Sequence, residues 1–195
     1  TGVDISSSSI ELCKKRFEKN NINLIHTSAE TLPFQNESYD FISCHGAIHH
    51  MQNPVLAIEE ISRVLKKDGE IIISVYFKNI FLIFFDKSKL FRKFLYIFFG
   101  GIKGRNRENF FSSQSSKELI RKFDGEDNPI GWAIRKSEIY GLLPSNLKIE
   151  NTSYQFSPTT HLFPNLPKKL HQIIGHIVPL MIYFKISKID DKGQL

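Results

Sequence analysis

The pattern of apolar and polar positions changes period several times along the chain, and each change predicts an element. Residues 1–5 form a short apolar stretch ending near Asp4, which reads as a strand. Ile10, Cys13 and Phe17 then recur at helical spacing. Ser8 with Glu11 has the form of a capping box, so a helix is predicted from Ser8 or Ser9 to about Asn20. Residues 22–26 predict a second strand, the polar residues 27–38 with Pro33 a loop, and residues 39–43 a third strand leading into a Cys44-His45-Gly46 turn. Asn53 before Pro54 predicts an N-cap with proline at the first helical position. Val55, Ile58, Ile61, Val64 and Leu65 share one face of that helix, and Gly69 is its natural stop. Residues 70–76 are almost continuously apolar and β-branched, the pattern of a strand covered on both faces.

Past Phe77 the periods are less regular. Residues 79–99 are predicted helical in two pieces broken around 86–88, residues 100–104 a glycine turn, and residues 113–121 a helix. Residues 124–128 carry turn chemistry, Ser137 caps a short helix ending before Pro144, and residues 171–176 form another. Residues 147–155 and 180–187 close the chain as strands. Strands alternating with helices predict an α/β fold: a Rossmann-like, doubly wound, mostly parallel sheet with an antiparallel C-terminal strand. Three stretches follow: a core at 1–76, a Phe-rich basic lid at 77–135, and a completion of the same sheet at 136–195.

Composition changes this picture in two places. At 195 residues and 41% hydrophobic content the chain suits one buried core, and Cys13 and Cys44 are too few and too far apart for a disulfide framework or zinc knuckle. A reduced, cytoplasmic setting is expected, with no signal-peptide pattern at the N-terminus. The net charge of +6 is local: residues 77–107 carry eight Lys and Arg against Asp86 alone, and ten of the 17 phenylalanines lie in 77–111. Charges interrupt every apolar run there before it could span a membrane. Three readings stay open for the segment: an interfacial helix pair on an anionic membrane surface, a lid packing its Phe residues on the core, or a nucleic-acid contact, for which the run is too apolar.

Candidate chemistry gathers at strand ends, where open α/β sheets bind ligands. Asp4 stands where a carboxylate can accept from the two hydroxyls of a ribose; the same place suits a helix-capping Asp. His49 and His50 follow the third strand. One could act as general base or orient a substrate, or both could simply stabilise the turn. His45 and His49 have the i, i+4 spacing of a metal pair, but Gly46 and the preceding strand argue against that helix, and no metal is expected.

The ordered motifs TGVDIS (residues 1–6), AETLPF (29–34), YDFI (39–42), IHH (48–50) before Asn53-Pro54, and RVLK (63–66) before Gly69 together resemble the class I S-adenosylmethionine-dependent methyltransferases. The similarity covers residues 1–76 and is nearest in character to the ubiquinone and menaquinone biosynthesis branch. It implies S-adenosylmethionine as cofactor, Asp4 on the ribose, and Ile5 against the adenine. Ser28 and Ala29 would lie at the adenine edge, with Cys44 and His45 lining the methionine part. His50, or else His49, would be the catalytic candidate, and a small, lipophilic molecule the acceptor. The chain departs from the family at Ser28, commonly an Asp. The glycine-rich loop and the strand before it should precede Thr1, so an N-terminally truncated fragment is expected, with a gap in the middle of the sheet and weak cofactor binding. The rival reading is a non-catalytic, membrane-peripheral or partner-binding module on the same fold.

Overall fold

In the computed structural model, which describes residues 1–99, 109–125, 128–155, 165 and 167–189, the strands form two separate sheets. β1 (Gly2–Asp4) pairs in parallel with β2 (Leu24–His26) across the helix α1 (Ser7–Arg16). The second sheet runs β3 (Tyr39–His45), β4 (Leu65–Phe77), β7 (Met181–Lys188), β6 (Leu147–Gln155), with the two-residue β5 (Ala133–Ile134) pairing in parallel at the end of β4. β3 is parallel to β4, whereas β7 is antiparallel to both β4 and β6. The predicted α/β sheet with an antiparallel C-terminal strand is therefore present, and the predicted gap lies between β1 and β3.

Several boundaries move for identifiable reasons. α1 is capped by Ser6, whose hydroxyl accepts from the Ser9 amide at 3.2 Å, so the Ser8–Glu11 capping box is not used and the helix ends at Arg16, not Asn20. α2 (Pro54–Val64) begins as predicted: the Leu56 amide donates to Asn53 Oδ1 at 3.2 Å. It ends early, because Leu65 is already extended and starts β4. Gly69 is thus a strand residue and not a helix stop. A Cβ there would come within 2.7 Å of the Leu65 side chain and 3.0 Å of the Asp40 carbonyl, so close approach accounts for the glycine.

The buried face of α2 includes Ala57, Ile58, Ile61 and Val64, while Val55 is exposed. Ala57, Ile58 and Ile61 pack on Ile71, Ile73 and Val75 of β4 together with Ile182, Phe184 and Ile186 of β7, forming the first core. A second core lies beyond Tyr76, where α3 (Ile80–Lys87), α4 (Lys89–Phe99) and α5 (Ser116–Asp124) bury Leu82, Phe85, Leu95, Leu119 and Ile120. The break between α3 and α4 falls at Ser88, inside the predicted interval; its hydroxyl accepts from the Phe91 amide at 3.1 Å. A 3₁₀ turn over Lys136–Gly141 replaces the predicted Ser137 helix, and α6 spans Lys168–Ile177. The predicted glycine turn at 100–104 lies outside the described residues.

Candidate active site

A cavity beside the candidate residues occupies the slot itself. It has a volume of about 510 Å³ and runs between the facing edges of β1 and β3, with Gly2, Val3, Phe41, Ser43, Ala29 and Met51 among its walls. Phe41, 53% exposed, lies on β3, the edge strand of the second sheet. The edge of β3 facing β1 has no partner strand among the described residues, which is the condition that edge protection normally avoids.

Asp4 sits at the C-terminal end of β1, exposed, with Oδ1 accepting from the Ser6 amide at 2.7 Å. Because Ser6 is the cap of α1, Asp4 is not the capping residue; its carboxylate stands at the strand end beside Ile5, which is 74% exposed. Ser28 and Ala29 are half-buried on the loop after β2. Ser28 Oγ accepts from the Glu30 amide at 3.1 Å, and Ala29 packs on the first core. That loop is fastened to α2 by Arg63, whose guanidinium donates to the carbonyls of Leu32 (2.9 Å) and Phe34 (2.7 Å) and pairs with Glu60 at 2.7 Å.

Across the slot, Cys44 and His45 end β3, two residues later than predicted, and both line the cavity. Burial pushes the Cys44 thiol up to about 11, so it is an inert thiol and not a nucleophile. Gly46 takes the turn with φ at +63°, and its amide donates to the Ser74 carbonyl and hydroxyl. Of the candidate residues, Ala29, Cys44 and His45 line the cavity, whereas Asp4, Ile5 and Ser28 lie outside its lining.

The two histidines occupy a 3₁₀ turn, Ile48–His50, and differ sharply. His49 is 1% exposed, its ring lying 4.2 Å from His50 and 4.4 Å from Tyr76, and its Nδ1 has no hydrogen-bond partner. Burial, reinforced by the neighbouring His50 charge, pushes its pKa down to about 3, so it is neutral. His50 contacts the Ile130 carbonyl through Nδ1 at 2.6 Å and Asp124 Oδ2 through Nε2 at 3.1 Å. The carbonyl and the carboxylate are acceptors for the two ring nitrogens, and the side-chain amide nitrogen of Asn128 also lies 3.0 Å from Nδ1. Burial pulls the His50 pKa down, but the Asp124 hydrogen bond, the Ile130 carbonyl and the Asp124 charge together hold it above the ordinary 6.5.

Asp124 is the residue that sequence reasoning missed. It ends α5 and does not begin a turn. Beyond His50 it accepts from the Tyr76 hydroxyl at 2.8 Å. Burial raises its pKa, yet the bonds from His50 and Tyr76 outweigh that and keep it below the ordinary 3.8. His49, His50 and Asp124 place one ligating atom each within 4.8 Å of one another, the set among the described residues that could hold a metal ion. In the bonding present, the ring nitrogens of His50 are engaged with the Ile130 carbonyl and Asp124 instead.

The α/β fold, with parallel β1–β2 and β3–β4 pairs and an antiparallel β7, is of Rossmann-like type. Residues 1–73 match the family described as a methyltransferase domain. A demethylmenaquinone methyltransferase of Staphylococcus haemolyticus is 30% identical over 117 residues, covering 60% of this chain and 49% of that enzyme. One from Staphylococcus aureus is 27% identical over 135 residues, covering 65% and 56%. The chain thus spans about half the length of the curated relatives it matches. Among solved structures, an S-adenosylmethionine-dependent methyltransferase of Thermotoga maritima, described as a possible histamine N-methyltransferase, superposes with a TM-score of 0.56 at 18% identity, covering 96% of this chain and 72% of that one. A methyltransferase of Methanosarcina mazei gives 0.57 at 15% identity, covering 96% and 80%. The match over residues 1–73 and the similar proteins bear out the resemblance to the class I S-adenosylmethionine-dependent methyltransferases.

Proposed function

We propose that this chain belongs to an enzyme that transfers the methyl group of S-adenosylmethionine to a small, lipophilic acceptor. The observation that carries the reading is the slot between β1 and β3, lined by Val3, Ala29, Cys44 and His45, with Asp4 and Ile5 following Val3 at the end of β1. Asp4 would hold the ribose hydroxyls, Ile5 and Ala29 the adenine, and Cys44 and His45 the methionine side. When bound, the cofactor supplies an electrophilic methyl group on its sulfonium, so the protein's task is mainly alignment. The names of the Staphylococcus relatives support a lipophilic acceptor.

His50 works here as a positioning residue. Both its nitrogens are spent, and they tie the end of α5 and the Ile130 carbonyl to the turn after β3, on the side where an acceptor would approach. A strand placed in the slot would complete the cofactor site, and the 195-residue chain by itself is expected to bind the cofactor weakly.

Asp4 supplies the test. In a chain whose slot is filled, Asp4→Ala removes hydrogen bonds to a charged acceptor, each contributing about 1.5–3 kcal/mol. S-adenosylhomocysteine should then bind roughly tenfold to a hundredfold more weakly, read by calorimetry, with the thermal midpoint unchanged because Asp4 is exposed. Equal affinity in the two proteins would favour the non-catalytic module.

A further inference from the structure

Helix α4 presents a surface that neither core uses. It buries Phe91 partly and Leu95 fully against the second core, and on a different arc it exposes Leu90 (78%), Ile97 (62%) and Phe98 (67%). At a helical period of 100° per residue these three fall within about 100° of one another, while Lys89 and Lys93 lie together on the adjoining arc. Phe84 on α3 is also exposed, at 55%. An apolar strip of this kind on one short helix, bordered by lysines, has the composition of an interfacial helix.

Charge completes the argument. Asp86, the one acid among residues 77–99, is turned inward: it accepts from the Ser116 amide at 2.6 Å and hydroxyl at 2.7 Å, and pairs with Lys78 at 3.1 Å. Arg92 caps α3, donating to the Phe85 carbonyl at 2.6 Å. Lys87, Lys89 and Lys93 are left exposed, and among the described residues none of them forms an ion pair. Beside them lies a cavity of about 370 Å³, lined by Lys89, Arg92, Lys93 and Tyr96 of α4 and by Ser112 and Gln114. A basic recess next to an exposed apolar strip matches an anionic phospholipid, whose phosphate and acyl chains carry those two features side by side.

We propose that α4 docks this chain on an anionic membrane surface, with Leu90, Ile97 and Phe98 entering the headgroup boundary and Lys89 and Lys93 holding lipid phosphates. No described helix is long and apolar enough to cross a membrane, so the contact is peripheral. The eleven residues of α4 are roughly 16 Å long and lie along the surface. This inference stands apart from the methyl-transfer reading and survives its failure.

Flotation of the 195-residue chain with phosphatidylcholine vesicles, with and without phosphatidylglycerol, tests it. Binding is expected only to the phosphatidylglycerol vesicles and should weaken as salt is raised. Lys89→Ala with Lys93→Ala should lower partitioning about 30-fold, and Leu90→Ser with Ile97→Ser at least tenfold. Because all four side chains are exposed, the circular dichroism spectra of the variants should match the parent. No binding, equal binding to both vesicle types, or variants that bind like the parent overturns the proposal. So does light scattering that finds a dimer dissolved by Ile97→Ser, which would assign the strip to a second copy of the chain.

Discussion

His49 and His50 are neighbours in sequence whose environments drive their titration in opposite directions. His49 has its folded pKa depressed to about 3, so it contributes stability above the ordinary 6.5 of an unfolded histidine and loses it progressively as the pH falls below that value. His50 has its folded pKa raised, so its contribution is complete below 6.5 and is lost as the pH rises through the folded value. Stability is therefore expected to peak near or just above pH 6.5. The acid limb belongs to His49 and slopes at up to about 1.4 kcal/mol per pH unit. His49→Leu should flatten that limb, while His50→Ala should flatten the alkaline one; thermal midpoints measured from pH 5 to 8 read both. A parent protein whose midpoint rises steadily as the pH falls to 5 would contradict the assignment of His49 as buried and neutral.

Among the elements, β4 is where sequence and structure part most usefully. The lysines and Gly69 after α2 are ordinary helix-ending signals, but Lys66 pairs with Asp40 of β3 at 2.8 Å and Gly69 lets β4 pass close to the Asp40 carbonyl, so tertiary pairing claims the segment for the strand. Gly69→Ala should cost about 1–3 kcal/mol by overpacking against Leu65, measured by urea unfolding, while the spectrum of the folded protein stays the same. β6, β7 and the N-terminus of α2 were legible because each is set by local signals: alternation, a continuous apolar run, or Asn before Pro. The Asp124 site was not, since its partners Tyr76 and His50 lie 48 and 74 positions away and no local pattern links a residue ending α5 to a turn after β3. β5 has only two residues, too few for any period, and pairs because the end of β4 is already in place.

For the whole molecule, the division into a two-stranded and a five-stranded sheet governs what the chain can do. A neighbouring strand stands about 4.8 Å away in a continuous sheet, so one absent strand leaves two apolar edges facing a slot of the kind seen between β1 and β3. Such edges favour pairing with any extended segment, and they leave the slot's two walls without a common support. The positions of Asp4 and of the Cys44–Gly46 turn were legible as ends of strands. That they fail to meet through a shared strand was expected from the family resemblance and is seen in the sheet order. The most direct measurement is titration calorimetry with S-adenosylmethionine on two proteins: the 195-residue chain, and the same chain extended before Thr1 by the strand and glycine-rich loop of the family. The account predicts weak or undetectable heat for the first and saturable one-to-one binding for the second, abolished or greatly weakened by Asp4→Ala. Tight, saturable binding by the 195-residue chain alone, or none by the extended chain, would contradict it.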